Sequence, residues 1–181
     1  MSEPGNAVAE NPMGLLDLYD IALPDVYGYL LRRCHSPAIA QDLTSETFIA
    51  AVDAVQRNRV PSLSTAWLIG VARNKLVDHW RRAERDQRLV DVVDGTVTDP
   101  ADDWDRVLDG LLAQETLANL APQHRGALTL RYLDGLPVRD VARLLGRTLG
   151  ATEVLLVRAR RRFRESYELL HGQPEEEEEQ R

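Results

Sequence analysis

The sequence predicts an all-α protein: two small helical domains joined by an acidic flexible linker, with a helix-turn-helix in the second. Three observations predict this. Apolar residues recur at helical spacing, with no convincing apolar-polar alternation between hairpin turns. Proline and glycine fall where helices start and stop. The helical pattern also collapses once, between Glu84 and about Asp105, into Asp-rich sequence with Gly95, Pro100 and few large apolar residues. A chain of 181 residues, 44% hydrophobic and 28% charged, has enough apolar surface to close a core and suits two small domains.

Residues 1–11 are expected to be disordered, and residues 12–84 to form the first domain. Its helical block, Leu15 to Ala83, breaks at Ser36-Pro37 and at Val60-Pro61-Ser62, which makes at least three helices because proline suits a first turn. Leu43, Thr47, Ala50 or Ala51, and Ala54 line one face, and Trp67, Val71, Leu76 and Val77 fall near another apolar stripe. Residues 85–106 read as a solvated acidic spacer. The second domain, 107–170, contains a helix opened by Pro122 and ending near Leu133, then the turn Asp134-Gly135-Leu136-Pro137. Val138, Val141, Ala142 and Leu145 then repeat at helical spacing up to Gly146. A last helix from about Ala151 places Thr152, Leu156, Ala159 and Phe163 on one side, and two helices around a Gly-containing turn make the helix-turn-helix unit. Residues 171–181, with the run Glu175 to Glu179, read as an acidic disordered tail.

The formal net charge of −7 hides a segregation along the chain. Residues 84–119 hold three Arg/Lys against ten Asp/Glu, whereas residues 120–165 hold ten against four, a net of +6. Salt screens charges beyond roughly 8 Å, so a basic module can bind phosphate while acidic segments lie elsewhere. Other function classes find little support. The longest apolar run, Ala66 to Ala72, falls far short of the roughly 20 residues of a membrane span, so no membrane insertion is expected. Residues 1–14 lack the charged start and apolar middle of a secretory signal, which implies a cytoplasmic location. Cys34 is alone and His35, His79, His124 and His171 are scattered, so neither metal nor cofactor is expected. Without a Gly-rich phosphate loop or a nucleophile elbow, no catalytic role is expected either.

The last helix crowds Arg158, Arg160, Arg161, Arg162 and Arg164 into its C-terminal half. Guanidinium groups keep their charge and present a planar fork of donors, which suits phosphate. Such contacts give affinity and register; sequence choice must come from the helix start, where Thr148, Ala151, Thr152, Glu153, Val154 and Leu155 could reach base edges in a major groove. A solvated basic face near a helix C-terminus is common, so it is the helix-turn-helix together with the cluster that points to duplex DNA.

Taken together, the two blocks resemble the extracytoplasmic-function sigma factors of bacterial RNA polymerase over about residues 12–168. The segment Gln41-Asp42-Leu43-Thr44-Ser45-Glu46-Thr47-Phe48 is similar to that family's polymerase-binding helix, and the segment Ala66 to Arg82 to its promoter-melting helix. Leu130-Arg131-Tyr132, Val138 to Gly146, and Val157-Arg158-Ala159-Arg160 resemble its C-terminal domain. The resemblance implies that Asp42, Leu43, Glu46 and Phe48 contact the clamp helices of core RNA polymerase, with the flap a further contact. It implies that the first domain reads the minus-ten promoter element as an opened strand. Arg57, Arg59, Arg73, Asn74, Lys75, Asp78, His79, Trp80, Arg81 and Arg82 offer the cations and planar groups that single-strand binding wants. Trp67 reads as core rather than as a stacking platform, while Trp80 stays open between core and nucleic-acid contact.

The second domain would bind the minus-thirty-five element of promoter DNA through Arg147, Thr148, Ala151, Thr152, Glu153, Val154, Leu155, Arg158, Arg160, Arg161 and Arg162. Here the chain departs from the family, carrying Glu153, Val154 and Leu155 where Lys, Ser and Arg often stand. Apolar groups can pack on thymine methyls and a carboxylate can accept from cytosine. Alternatively, Val154 and Leu155 dock a protein, such as an anti-sigma factor or another transcription regulator. The acidic tail could compete with DNA for the arginine cluster. A stand-alone helix-turn-helix regulator is the competing class, and the segment Asn74 to Arg82 distinguishes the two because a simple regulator needs no strand-opening module.

Overall fold

The structure is a computed structural model that describes residues 12–60, 62–87 and 111–171. Those residues form helices joined by short turns, without strands, which bears out the all-α class. The expected disordered start at 1–11, most of the expected linker at 88–106, and the acidic tail from 172 onward lie outside the described residues. The chain divides into two compact units between Asp78 and His79.

Three helices make up the N-terminal part: α1 (Pro12–Cys34), α2 (Pro37–Gln56) and α3 (Thr65–Gln87). Their ends follow local chemistry. After α1, His35 takes a left-handed φ of 54° and its N–H reaches the Leu31 carbonyl at 3.1 Å. Ser36 then caps α2, its Oγ accepting the Ile39 N–H at 3.4 Å, with Pro37 in the first turn. Asn58, at φ 56°, ends α2 and lets the Arg59 N–H reach back to the Ala54 carbonyl at 2.9 Å. Ser64 opens α3 by accepting the Trp67 N–H at 3.2 Å. Both expected breaks are therefore real. However, α3 runs to Gln87, past the expected boundary at Glu84.

In the first unit α1 packs along α2. Ala22, Val26 and Leu30 of α1 and Ala40, Leu43, Phe48 and Ala51 of α2 are buried, at about 1.5–3 kcal/mol for each large apolar side chain removed from water. Thr44 and Thr47 are buried without loss, because their hydroxyls donate to the carbonyls of Ala40 (2.6 Å) and Leu43 (2.7 Å).

The second unit contains α4 (Leu111–Asn119), α5 (Pro122–Leu128), α6 (Val138–Leu145) and α7 (Leu149–His171). Helix α5 continues into one wider π turn, Thr129–Leu133, whose carbonyl at Thr129 accepts the Asp134 N–H at 3.0 Å. Helix α7 packs against α4, α5 and α6 and organises the core. Phe163 and Ala159 meet Leu117, Leu120 and Leu128, flanked by Tyr132 and Tyr167, while Leu155 and Leu156 meet Ala127, Val138 and Leu145. The expected stripe Thr152, Leu156, Ala159 and Phe163 is buried, with Leu155 added to it. Arg125 was not anticipated: its guanidinium donates to the carbonyls of Leu117, Ala118 and Leu120 at 2.6 to 3.0 Å, satisfying the otherwise orphaned end of α4.

Candidate nucleic-acid interface

On α2, the four residues expected to meet a partner divide by burial. Asp42 is exposed and Glu46 half-buried, the latter 3.5 Å from the Nζ of Lys75. Leu43 and Phe48 point into the core, at 2% and 8% exposure, so they brace the helix and offer nothing to its outer surface. Sequence reading missed Ile49 and Val52, which stand 69% and 44% exposed two turns beyond Asp42 and Ser45 respectively. The available signal was their position on the Asp42 side of the helix, opposite Leu43, Thr47 and Ala51.

The residues expected to follow a single strand are dispersed. Arg57 and Arg59 both approach Asp53, at 2.7 and 3.6 Å, and remain exposed. Along α3, Asn74, Asp78 and Arg82 are exposed and recur at intervals of one turn, while Arg73, Lys75, His79 and Arg81 are half-buried. Trp80 is the correction: at 2% exposure it is core, and no stacking platform in this conformation. Its ring lies against α5, where a Cβ placed on Gly126 would come within 2.9 Å of Trp80 Cε3.

The helix-turn-helix is formed by α6, a turn and α7. Gly146 closes α6 at a left-handed φ of 64°, and the Arg147 N–H returns to the Ala142 carbonyl at 2.9 Å. Thr148 is a helix cap: its Oγ1 accepts the Ala151 N–H at 3.2 Å, so the hydroxyl expected to read bases also holds the start of α7. Helix α7 starts at Leu149, slightly earlier than expected. Thr152 and Leu155 are buried, so neither reads a base edge nor docks a partner. Leu149, Ala151, Glu153 and Val154 are the exposed groups of its first turns.

Nor is the arginine row uniform. Arg158, Arg160 and Arg164 are half-buried, and Arg160 donates to the Tyr132 hydroxyl at 3.2 Å. Arg161 and Arg162 are exposed and share Glu165, at 2.8 and 3.0 Å. Hydrogen bonding from Arg161 holds the Glu165 carboxyl below its ordinary range against the opposing effect of burial, with the Arg162 hydrogen bond and the charge of both guanidinium groups adding to it. Exposed pairs of this kind contribute about 0–1 kcal/mol, so both guanidinium groups can be diverted to a phosphate at little cost. Arg147 is different. Its guanidinium donates to Glu84 and to Gln123, and both ends of the ion pair are largely shielded, with side chains 22% and 15% exposed.

Residues 18–86 match the family described as Sigma-70 region 2, and residues 111–163 the family described as Sigma-70, region 4. Together they take in well over half of the chain. The ECF RNA polymerase sigma factor BldN of Streptomyces coelicolor is 33% identical over 150 residues, covering 78% of this chain and 56% of its own length. The ECF RNA polymerase sigma factor SigM of Bacillus subtilis is 28% identical over 165 residues, covering 86% of this chain and 96% of that one. A solved structure of the sigma factor RpoE in complex with the anti-sigma factor NepR, from Bartonella quintana, shares the fold: TM-score 0.52 at 22% identity, over 86% of this chain and 98% of that one. With a region 2 helical unit followed by a region 4 helix-turn-helix in one polypeptide, this chain belongs to the extracytoplasmic-function sigma factors, which direct transcription initiation by bacterial RNA polymerase.

Proposed function

We propose that the chain acts as a non-catalytic specificity subunit in the cytoplasm, gripping core RNA polymerase through the outer face of α2 and promoter DNA through two separate surfaces. The observation that carries this is the pairing of a region 2 match with a region 4 match in one chain, since a simple regulator needs only the latter. Asp42 and Glu46, extended by the exposed Ile49 and Val52, form a mixed acidic and apolar strip suited to a protein surface. Its target is the clamp helices of the polymerase, with the flap meeting the second unit.

Minus-ten contacts fall to Arg57, Arg59, Arg73, Asn74, Lys75 and the α3 residues Asp78, His79, Arg81 and Arg82. Duplex contacts at minus-thirty-five fall to α7, where Arg158, Arg161 and Arg162 supply charge for phosphates. Glu153, Val154 and Ala151 are left to meet base edges, a set suited to cytosine amino groups and thymine methyls. The names of the relatives also support an anti-sigma factor as a further partner. Labelling the full chain and titrating it with purified core polymerase tests the reading. Saturable binding at submicromolar concentration is expected, and no affinity for the polymerase overturns it.

A further inference from the structure

Tyr132 lies in the π turn Thr129–Leu133, where each residue advances less around the axis than in an α-helix and so stands away from where a regular continuation of α5 would place it. The turn is kept although the Thr129 Oγ1 is buried in it without a hydrogen-bond partner, which is costly for a hydroxyl. From this position the Tyr132 ring packs against both apolar clusters of the second unit, the one around Phe163 and the one around Leu156. A ring held on two sides has few orientations open to it, so its hydroxyl is fixed in place. That hydroxyl accepts from Arg160 Nη1 at 3.2 Å. The Arg131 guanidinium flanks the same ring, 5.6 Å from its centroid, while donating to the Leu136 carbonyl at 3.2 Å. Two guanidinium groups from separate elements thus converge on one phenol.

We infer that Tyr132 is a positioning residue, whose hydroxyl holds the Arg160 guanidinium toward a DNA phosphate at the edge of the major groove. The inference rests on the functional reading above, to which it adds Arg160 and Tyr132. Helical spacing puts Arg160 two turns beyond Glu153 on one face of α7, roughly 10 Å along the axis. A base edge met by Glu153 and a phosphate bordering a groove about 12 Å wide fit that separation. Arginine has a long, flexible side chain, and a loose one must be ordered each time it meets a phosphate. A guanidinium already held by a packed phenol arrives with its planar fork oriented, so the contact costs less to make. Arg161 and Arg162 carry the same charge but share the surface carboxylate of Glu165, and the phenol sets Arg160 apart from these two.

The test is a double-substitution cycle on holoenzyme assembled from core polymerase and the full chain, titrated with a labelled promoter fragment that the holoenzyme transcribes. Tyr132→Phe keeps the ring and removes only the hydroxyl, so circular dichroism and polymerase binding are expected to match wild type. Promoter affinity falls by about two- to tenfold, the cost of ordering one long side chain. Arg160→Ala leaves the ring untouched, weakens binding further and lowers the salt slope of binding by about one. In the Arg160→Ala background Tyr132→Phe has no additional effect, because the group it positions is gone. Wild-type affinity in Tyr132→Phe overturns the inference, as do losses that simply add in the double variant. So does wild-type affinity in Arg160→Ala when Arg161→Ala and Arg162→Ala together still weaken binding. If none of the three arginine substitutions changes promoter affinity or salt slope, the reading of α7 as the helix on duplex DNA fails, and the inference falls with it.

Discussion

Helices α2 and α7 each bury one apolar stripe but turn opposite chemistry outward. The stripe of α2 is Leu43, Thr47 and Ala51, and its outer side carries Asp42 and Glu46 beside the bare apolar groups Ile49 and Val52. The stripe of α7 is Thr152, Leu155, Leu156, Ala159 and Phe163, and its outer side carries Arg161 and Arg162 beyond a short apolar and acidic start. Burial thus makes each helix a ruler, and what stands on the free side decides the partner. Mixed acid and apolar surface suits another protein, whereas a row of guanidinium groups suits a phosphate backbone.

The stripes themselves give the largest expected effects. Phe163→Ala removes a large, fully buried side chain and should cost about 3–5 kcal/mol, and Leu43→Ala about 2–5 kcal/mol, read from urea unfolding. If either costs less than a surface substitution, that helix does not organise its unit. Next come the free faces. Reversing charge on α2 with Asp42→Lys and Glu46→Lys together should weaken core polymerase at least about tenfold, roughly 1.4 kcal/mol, and leave duplex DNA affinity unreduced. The opposite pattern would assign α2 to nucleic acid.

Capping gives a smaller effect. Thr148→Ala should destabilise the start of α7 by about 1 kcal/mol, because the Ala151 N–H loses its acceptor. A loss of DNA binding without any loss of stability would instead return Thr148 to the role of base reader. The smallest effect belongs to Glu165. Its folded carboxyl is held below the ordinary value, so its contribution is complete above that value and disappears as pH falls through the lower, folded one. The pair is exposed, so the contribution should be a few tenths of a kcal/mol at most. Comparing wild type with Glu165→Gln across an acid titration should show a small difference at neutral pH that shrinks as the pH falls through the lowered, folded value.

Local punctuation made much of this architecture legible. Ser36-Pro37, Pro122 and Gly146 act through the backbone of their own neighbours, and the spacing of Thr152, Leu156, Ala159 and Phe163 is set by one helical repeat. The site was less legible because its decisive contacts are distant in sequence. Trp80 is core because Gly126 supplies a flat seat on another helix, and Arg147 is engaged by Glu84, 63 residues away. Leu155 was misplaced for a nearer reason: the side of α7 that meets α5 is wider than a single stripe, so the residue beside Leu156 is covered as well. Arg125 shows the same limit from the other direction, a cation in the basic module whose donors are consumed by the carbonyls at the end of α4.

The most direct measurement is run-off transcription with purified core polymerase, this chain, and a library of promoter fragments. The account predicts transcripts from a defined subset of fragments only when the chain is present, and their loss when Asp42 and Glu46 are both reversed in charge. Transcription that is indifferent to the chain on every fragment, despite a folded protein, would contradict it.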